Sequence, residues 1–258
     1  MDQLTFDNCF KEEIHIDKPI RLIELFAGIG SQAMALRNLG ANFEHYRVVE
    51  FDKFAIASYN AIHGTDFKPM DITKIKGVDL GIEDVEQFTY LLTYLLTYLL
   101  TYLLTYSFPC QDLSNSGLKK GMTKGSGTRS GLLWEVERLL NETTNLPQVL
   151  LMENVTQVHG KNNMKDFNMW IDFLKSKGYS NYYQDLNAKD FNVAQSRDRC
   201  FMVSILGDYS FKFPSGIPLK KIMADYLEKS VDEKYYIKTP KAYELIEELV
   251  SSGKLDNY

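Results

Sequence analysis

A glycine-bearing turn, Phe26-Ala27-Gly28-Ile29-Gly30, joins a strand-like apolar run, Ile20 to Phe26, to a helix-patterned run, Ser31 to Leu39, that Gly40 closes. A tight turn between a buried strand and a helix is where α/β folds seat nucleotide-type ligands, because backbone N–H groups point outward there. The same alternation recurs downstream. Tyr46 to Val49 reads as a strand ending in Glu50, Asp52 to Ile62 as a helix stopped by Gly64, and Lys68 to Thr73 as a possible third strand carrying Asp71. Further strands are expected at Leu103 to Phe108, Val149 to Met152 and Cys200 to Leu206, with helices at Leu132 to Asn141 and Met164 to Lys177. Strands alternating with helices predict an α/β fold with a doubly wound, mostly parallel sheet. At 258 residues, 45% of them hydrophobic, the chain can bury such a core.

Thr89 to Leu104 is four tandem copies of Thr-Tyr-Leu-Leu, followed by Thr105-Tyr106. No solenoid has so short a unit. A hydroxyl-bearing residue pair in every copy and the lack of flanking anchors argue against a membrane span. The last copy is assigned to the strand before Pro109, and the earlier copies to a helix extension or a protruding loop. Extended, such a tract is a β-aggregation hazard. The genetic code adds a separate inference: the tetranucleotide TTAC in tandem reads TTA-CTT-ACT-TAC, which is Leu-Leu-Thr-Tyr. A slippage-prone tract of that kind would shift the frame on gain or loss of one unit; neutral in-frame expansion is the alternative.

Three later segments carry reactive groups. Ser107-Phe108-Pro109-Cys110-Gln111 sets a thiol in a turn, Glu153-Asn154-Val155 follows an apolar run, and Gln195-Ser196-Arg197-Asp198-Arg199 supplies paired guanidiniums. A free thiol has a pKa of about 8.5, so a nucleophilic Cys110 needs nearby positive charge or backbone donors. Taken by itself, Cys110 also reads as a small buried core residue. Glu153 is placed at the C-terminal edge of the sheet, where a buried carboxyl group can donate a proton near neutrality, with Asn154 to orient it. Strand periodicity puts Arg197 and Arg199 on one face and Asp198 on the other.

In this order and spacing the four motifs resemble the DNA (cytosine-5) methyltransferase family, and Ser107 to Ser114 (SFPCQDLS) is a close local match. The resemblance implies a Rossmann-like class I S-adenosylmethionine-dependent methyltransferase fold and a covalent mechanism on a flipped cytosine in double-stranded DNA. Cys110 would add to carbon 6, Glu153 would act at nitrogen 3, Arg199 would hold the base carbonyl, and Arg197 would support the network. For the methyl donor, S-adenosyl-L-methionine, it implies Phe26 packing on adenine and close backbone approach at Gly28 and Gly30. Glu50 would then meet the ribose hydroxyls, Asp71-Ile72 the adenine edge, and Pro109 and Leu133 would wall the pocket. Gln111, Ser114, Ser116 and Lys119 are expected at the DNA backbone. Lys119, Lys120, Lys124 and Arg129 form a stretch without acidic residues, which an overall charge of −5 does not exclude.

The match runs from about Arg21 to Leu206. The domain reading is an N-terminal extension (1–19), a catalytic domain (20–207, with the repeat at 89–106) and a C-terminal extension (208–258), in which Ile222 to Leu227 and Lys241 to Ser251 read as helices. No family-like target-recognition region or final donor-pocket segment is recognised in the last stretch. The readings therefore include an active methyltransferase, a split or inactive fragment needing a complementing chain, and an RNA cytosine methyltransferase. A cognate restriction endonuclease is a further expected partner. Cys9, Cys110 and Cys200 lack CxxC spacing, so neither a disulfide framework nor a metal site is expected. Sparse cysteines and the absence of a signal-peptide core suit the cytoplasm.

Overall fold

The computed structural model describes residues 18–82, 101–113, 120–220, 222–236 and 238–253. Contacts divide the chain into two compact units, Met1–Pro218 and Leu219–Tyr258. The first is built on a six-stranded sheet. Its strands are β1 (Ile20–Leu25), β2 (Phe43–Val49), β3 (Tyr102–Tyr106), β4 (Val149–Asn154), β5 (Tyr179–Asn187) and β6 (Asp198–Leu206), in the order β2-β1-β3-β4-β6-β5. The first four strands are parallel. The chain runs outward from β1 to β2 and then returns to the other side of β1 as β3, so a topological switch point opens between the C-terminal ends of β1 and β3.

Helices α1 (Ser31–Asn38), α2 (Lys53–His63), α3 (Leu133–Glu142) and α4 (Met164–Ser176) cover the two faces. Strand alternation sorts β1: Ile23 and Leu25 enter the main core with Trp134, Phe167 and Trp170, while Leu22 packs with Ala33 and Leu36 of α1. Helix α2 begins where the Asp52 carboxylate accepts the Phe54 N–H at 2.8 Å, and it stops at Gly64, whose φ of 68° suits a residue without Cβ.

The last Thr-Tyr-Leu-Leu copy and the Thr-Tyr that follows do form the strand before Pro109. A four-residue repeat is a multiple of the two-residue strand period, so every copy offers Tyr and Leu on one face and Thr and Leu on the other. In β3 the first set, Tyr102, Leu104 and Tyr106, is wholly buried in the main core. Each tyrosine also has a partner for its hydroxyl: Arg21 donates to Tyr102 at 2.6 Å and the Trp170 indole donates to Tyr106 at 3.1 Å. The earlier copies lie outside the described residues.

The sheet is mostly parallel, as expected, and two element readings are corrected, Lys68 to Thr73 and Ile222 to Leu227. Lys68 to Thr73 is not a strand. Pro69 has no N–H for a ladder, and Asp71 folds its own chain into a turn by accepting the Thr73 N–H at 3.0 Å and the Thr73 hydroxyl at 2.8 Å. The antiparallel pairing is confined to the distal side: β6 runs antiparallel to both β4 and β5, because only the three-residue 3₁₀ turn Ala188–Asp190 and a short loop lie between β5 and β6, too little for a crossover. Strand β5 itself was not expected, since Tyr-Ser-Asn-Tyr-Tyr-Gln-Asp-Leu-Asn on a sheet edge lacks an apolar alternation. In the second unit, Ile222 to Leu227 makes only the short turn Met223–Tyr226, whereas α5 (Pro240–Ser251) forms with proline in its first turn. Among the described residues no helix is long and apolar enough to cross a membrane.

Tyr106→Phe keeps the ring but leaves the buried Trp170 N–H without an acceptor. Urea unfolding should show a loss of about 1–3 kcal/mol at unchanged m-value.

Candidate active site

The turn after β1 is held from behind by β2, with Phe26 and Ala27 both donating backbone N–H groups to the Val49 carbonyl at 2.8 and 3.3 Å. Phe26 adopts a φ of 58°, which is uncommon for a residue with a Cβ and brings the chain sharply round. The two glycines serve different ends. Around Gly28 there is open space where a Cβ would stand, so its backbone is accessible. A Cβ on Gly30 would lie 2.4 Å from His63 Nε2 and 2.5 Å from the Tyr59 ring. On its Cβ side, Gly30 is closely approached by helix α2.

Glu50, at the end of β2, accepts the Gly28 N–H at 3.0 Å and the Asp52 N–H at 2.9 Å. One carboxylate thus sets both the β1 turn and the start of α2. It remains half-exposed, and each oxygen keeps a lone pair for a further donor. Asp71 is engaged with Thr73 and lies 3.5 Å from Lys74; the Thr73 backbone and hydroxyl bonds hold its carboxyl below the usual range. Ile72 is buried and its carbonyl accepts from Arg138 at 2.9 Å. Leu133, at the start of α3, is wholly buried in the main core.

Glu24 lies beneath this turn, and sequence reasoning passed over it inside a strand read as apolar. It is buried, accepts the Tyr59 hydroxyl at 2.5 Å and receives the Ala33 N–H at 3.4 Å, tying β1 to both α2 and α1. With that hydroxyl donating to Glu24, His45 Nδ1, 2.6 Å away, donates to Tyr59. Burial outweighs both hydrogen bonds and pushes the Glu24 carboxyl up to about 7. A carboxylate in the middle of an apolar strand run was the available signal.

The thiol turn leaves β3 beside β4, since Tyr106 pairs with Met152 in parallel register. It is pinned on both sides of Cys110. The Asn154 amide donates to the Phe108 carbonyl at 3.0 Å, and the Ser130 hydroxyl donates to the Pro109 carbonyl at 2.7 Å. Asp112 then accepts the backbone N–H groups of Arg129 and Ser130 at 2.9 and 3.3 Å. Asn154 therefore orients the thiol turn; its amide oxygen accepts the Val155 N–H at 2.8 Å. Asp112 and Ser130 complete the clamp and were not singled out from the sequence, where neither stands out from ordinary loop polarity. Cys110 and Pro109 are half-buried and Gln111 is exposed. Ser114, Ser116 and Lys119 lie outside the described residues.

Glu153 is 28% exposed and its carboxylate lies 3.0 Å from Arg199 Nε, itself 21% exposed. An ion pair, rather than apolar burial, surrounds this carboxylate. Arg199 also donates to the Asp198 carbonyl at 2.7 Å, which helps fix the guanidinium. Arg197 precedes β6 and is exposed; its N–H donates to Asn187 Oδ1 at 3.2 Å.

These parts have close counterparts in other proteins. The family model of C-5 cytosine-specific DNA methylases matches residues 20–254. The chain is 34% identical over 255 residues to a type II methyltransferase, M2.ScrFI, of Lactococcus lactis subsp. cremoris, covering 85% of this chain and 70% of that protein. It is 35% identical over 272 residues to the orphan methyltransferase M.SssI of Spiroplasma monobiae, covering 89% and 70%. A solved structure of Schizosaccharomyces pombe Dnmt2 methyltransferase superposes with a TM-score of 0.65 at 23% identity, over 90% of this chain and 66% of that one, and shares the fold. The chain belongs to the C-5 cytosine-specific DNA methylase family, on an α/β methyltransferase fold.

Glu24 gives the site a pH signature. Between its ordinary value of 4.5 and about 7 the folded chain keeps a proton that the unfolded chain has lost. Stability from this group is therefore highest below 4.5 and falls as pH rises to about 7, by an amount of order 3 kcal/mol. In Glu24→Gln the difference from wild type should change across that window and level off above it, measured by denaturant unfolding at each pH.

Proposed function

We propose that this chain transfers a methyl group from S-adenosyl-L-methionine to carbon 5 of cytosine in double-stranded DNA, through a covalent adduct on Cys110. The observation that carries the reading is the Asn154–Phe108 hydrogen bond beside the Glu153–Arg199 pair. It ties a nucleophile-bearing turn to the strand end that holds a carboxyl group and a guanidinium. The donor fits the switch point: Gly28 leaves its backbone open, and Glu50 presents a half-exposed carboxylate suited to ribose hydroxyls. When bound, the donor supplies an electrophilic methyl group.

Cys110, as thiolate, adds to carbon 6 of a flipped cytosine, and the ring electron pair moves toward nitrogen 3 and carbon 5. Glu153 supplies a proton at nitrogen 3, while Arg199 holds that carboxyl and faces the base carbonyl. Carbon 5 takes the methyl group as the donor's sulfur–methyl bond breaks and that sulfur keeps the electron pair; nitrogen 3 returns its proton to Glu153, and carbon 5 loses its own proton to a base or water. The carbon–sulfur bond then breaks, and the thiolate returns. The clamp of Asn154, Ser130 and Asp112 keeps the thiol's approach fixed, so little reorganisation accompanies the attack.

A complementing polypeptide is a second reading. The unit Leu219–Tyr258 exposes Ile222, Leu227 and Tyr235 among its described residues, as a surface awaiting another chain would. A cognate endonuclease is proposed as the genetic partner.

Incubation with 5-fluorocytosine duplex DNA and the donor should give a denaturation-resistant adduct, absent in Cys110→Ser. Glu153→Gln should slow turnover by about 10²–10⁴-fold while sparing donor binding. An adduct on RNA but not DNA would transfer the reading to an RNA substrate. A folded chain that forms an adduct only with an added C-terminal polypeptide would establish the split enzyme.

We further propose that the repeat makes expression phase-variable. Three four-base units restore the frame and add one Thr-Tyr-Leu-Leu, leaving the residues of β3 unchanged, so in-frame changes preserve the central strand and other changes truncate the protein. Single-colony sequencing should find uninterrupted TTAC tracts with unit numbers that differ by other than multiples of three; synonymous interruptions throughout would oppose it.

A further inference from the structure

Three side chains from separate segments meet at the distal end of the sheet. His159 ends the turn Thr156–His159 after β4, Asp185 belongs to β5 and Cys200 to β6. Antiparallel register places Asp185 opposite Cys200, and Cys200 opposite Asn154. Asp185 and Cys200 are therefore cross-strand neighbours on one face. Glu153 pairs with Phe201, and Arg199 adjoins Cys200 in sequence, so the Glu153–Arg199 pair belongs to the opposite face.

His159 Nε2 lies 2.9 Å from an Asp185 oxygen, and the Cys200 thiol, fully buried and in no disulfide, bonds to the same carboxylate. One nitrogen, one oxygen and one sulfur thus stand within 4.8 Å of one another. Tetrahedral zinc, with bonds of about 2.0–2.3 Å, spaces its donors at roughly 3.3–3.8 Å. The cluster is about an ångström from that arrangement, and His159 and Asp185, at 23% and 41% exposed, can rotate to close it. Calcium and magnesium demand oxygen ligands, so a mixed nitrogen, oxygen and sulfur set selects a softer ion.

We propose that His159, Asp185 and Cys200 bind a borderline-soft divalent cation of the zinc type, with a fourth position open to water. Cys200 enters as thiolate, releasing its proton to solvent, and His159 binds through Nε2 as neutral imidazole. The ion cross-links β5, β6 and the turn after β4, behind the strand end that carries Glu153. No metal site was expected because sequence spacing reports ligands presented by one local loop. Here the antiparallel register and a turn do the assembling.

The test uses the untagged full chain with Cys9→Ser and Cys110→Ser, leaving Cys200 as its only thiol. Added Co²⁺ should produce a thiolate-to-cobalt charge-transfer band and tetrahedral visible bands, both removed by Zn²⁺. Cys200→Ser should abolish the charge-transfer band. His159→Gln should weaken binding by about tenfold or more, since even an outer-shell partner commonly costs that much. Absence of the band in the folded protein overturns the proposal. If the sole-thiol chain does not fold, the comparison is made between the otherwise unaltered chain and its His159→Gln variant, which changes a side chain at the protein surface. Equal Co²⁺ affinity in those two also overturns it.

Discussion

Strand β3 is hydrogen-bonded along its length on both sides, to β1 from Arg21 to Leu25 and to β4 from Val149 to Met152. Parallel pairing in that register sends all three strands out of the sheet at the same edge. The glycine turn, the thiol turn and the Glu153-Asn154 pair consequently emerge side by side, although they are far apart along the chain. The strand that enforces this is made from repeat sequence. It serves because Tyr102, Leu104 and Tyr106 present one apolar face whose two hydroxyls both find partners. A buried tyrosine hydroxyl without a partner would offset part of what its ring gains.

Two carboxylates set the glycine-turn side of the edge by different means. Glu50 uses its charge at a half-exposed strand end, accepting backbone donors from the β1 turn and from the start of α2. Glu24 is buried and joins β1 to both flanking helices by accepting from Tyr59 and from the Ala33 N–H. On the thiol side Asn154 and Ser130 donate to consecutive carbonyls, and Asp112 accepts two backbone N–H groups. The two carbonyls before the thiol are thereby satisfied, and the Cys110 carbonyl accepts the Leu113 N–H at 3.0 Å, so the turn is held through its backbone.

The distal part of the sheet follows a different logic. Because β5 and β6 form an antiparallel pair beyond β4, residues remote in sequence stand opposite one another in strict register. That register aligns Arg199 with the strand end bearing Glu153 on one face, and it brings Asp185 to Cys200 on the other. The two faces share only the thickness of one backbone layer.

Much of the first unit was legible along the chain. Apolar runs ending in Gly, Glu, Pro-Cys or Glu-Asn announced strands with chemistry at their C-terminal ends, and the capping residues Asp52 and Gly64 marked helix α2. What was illegible depended on neighbours. An edge strand of Tyr, Ser, Asn and Gln has no burial pattern to read, and Lys68 to Thr73 resembles a strand until Asp71 turns on its own backbone. The partner of Asn154, the pairing of Glu153 with Arg199 and the crowding of Gly30 by Tyr59 and His63 were likewise hidden. By itself the sequence determined the elements and the residue types at their ends, because periodicity, glycine and proline act within a few residues. Only the tertiary structure decided which of those groups touch, because strand order and register are set by long-range burial and hydrogen bonding that no local pattern encodes.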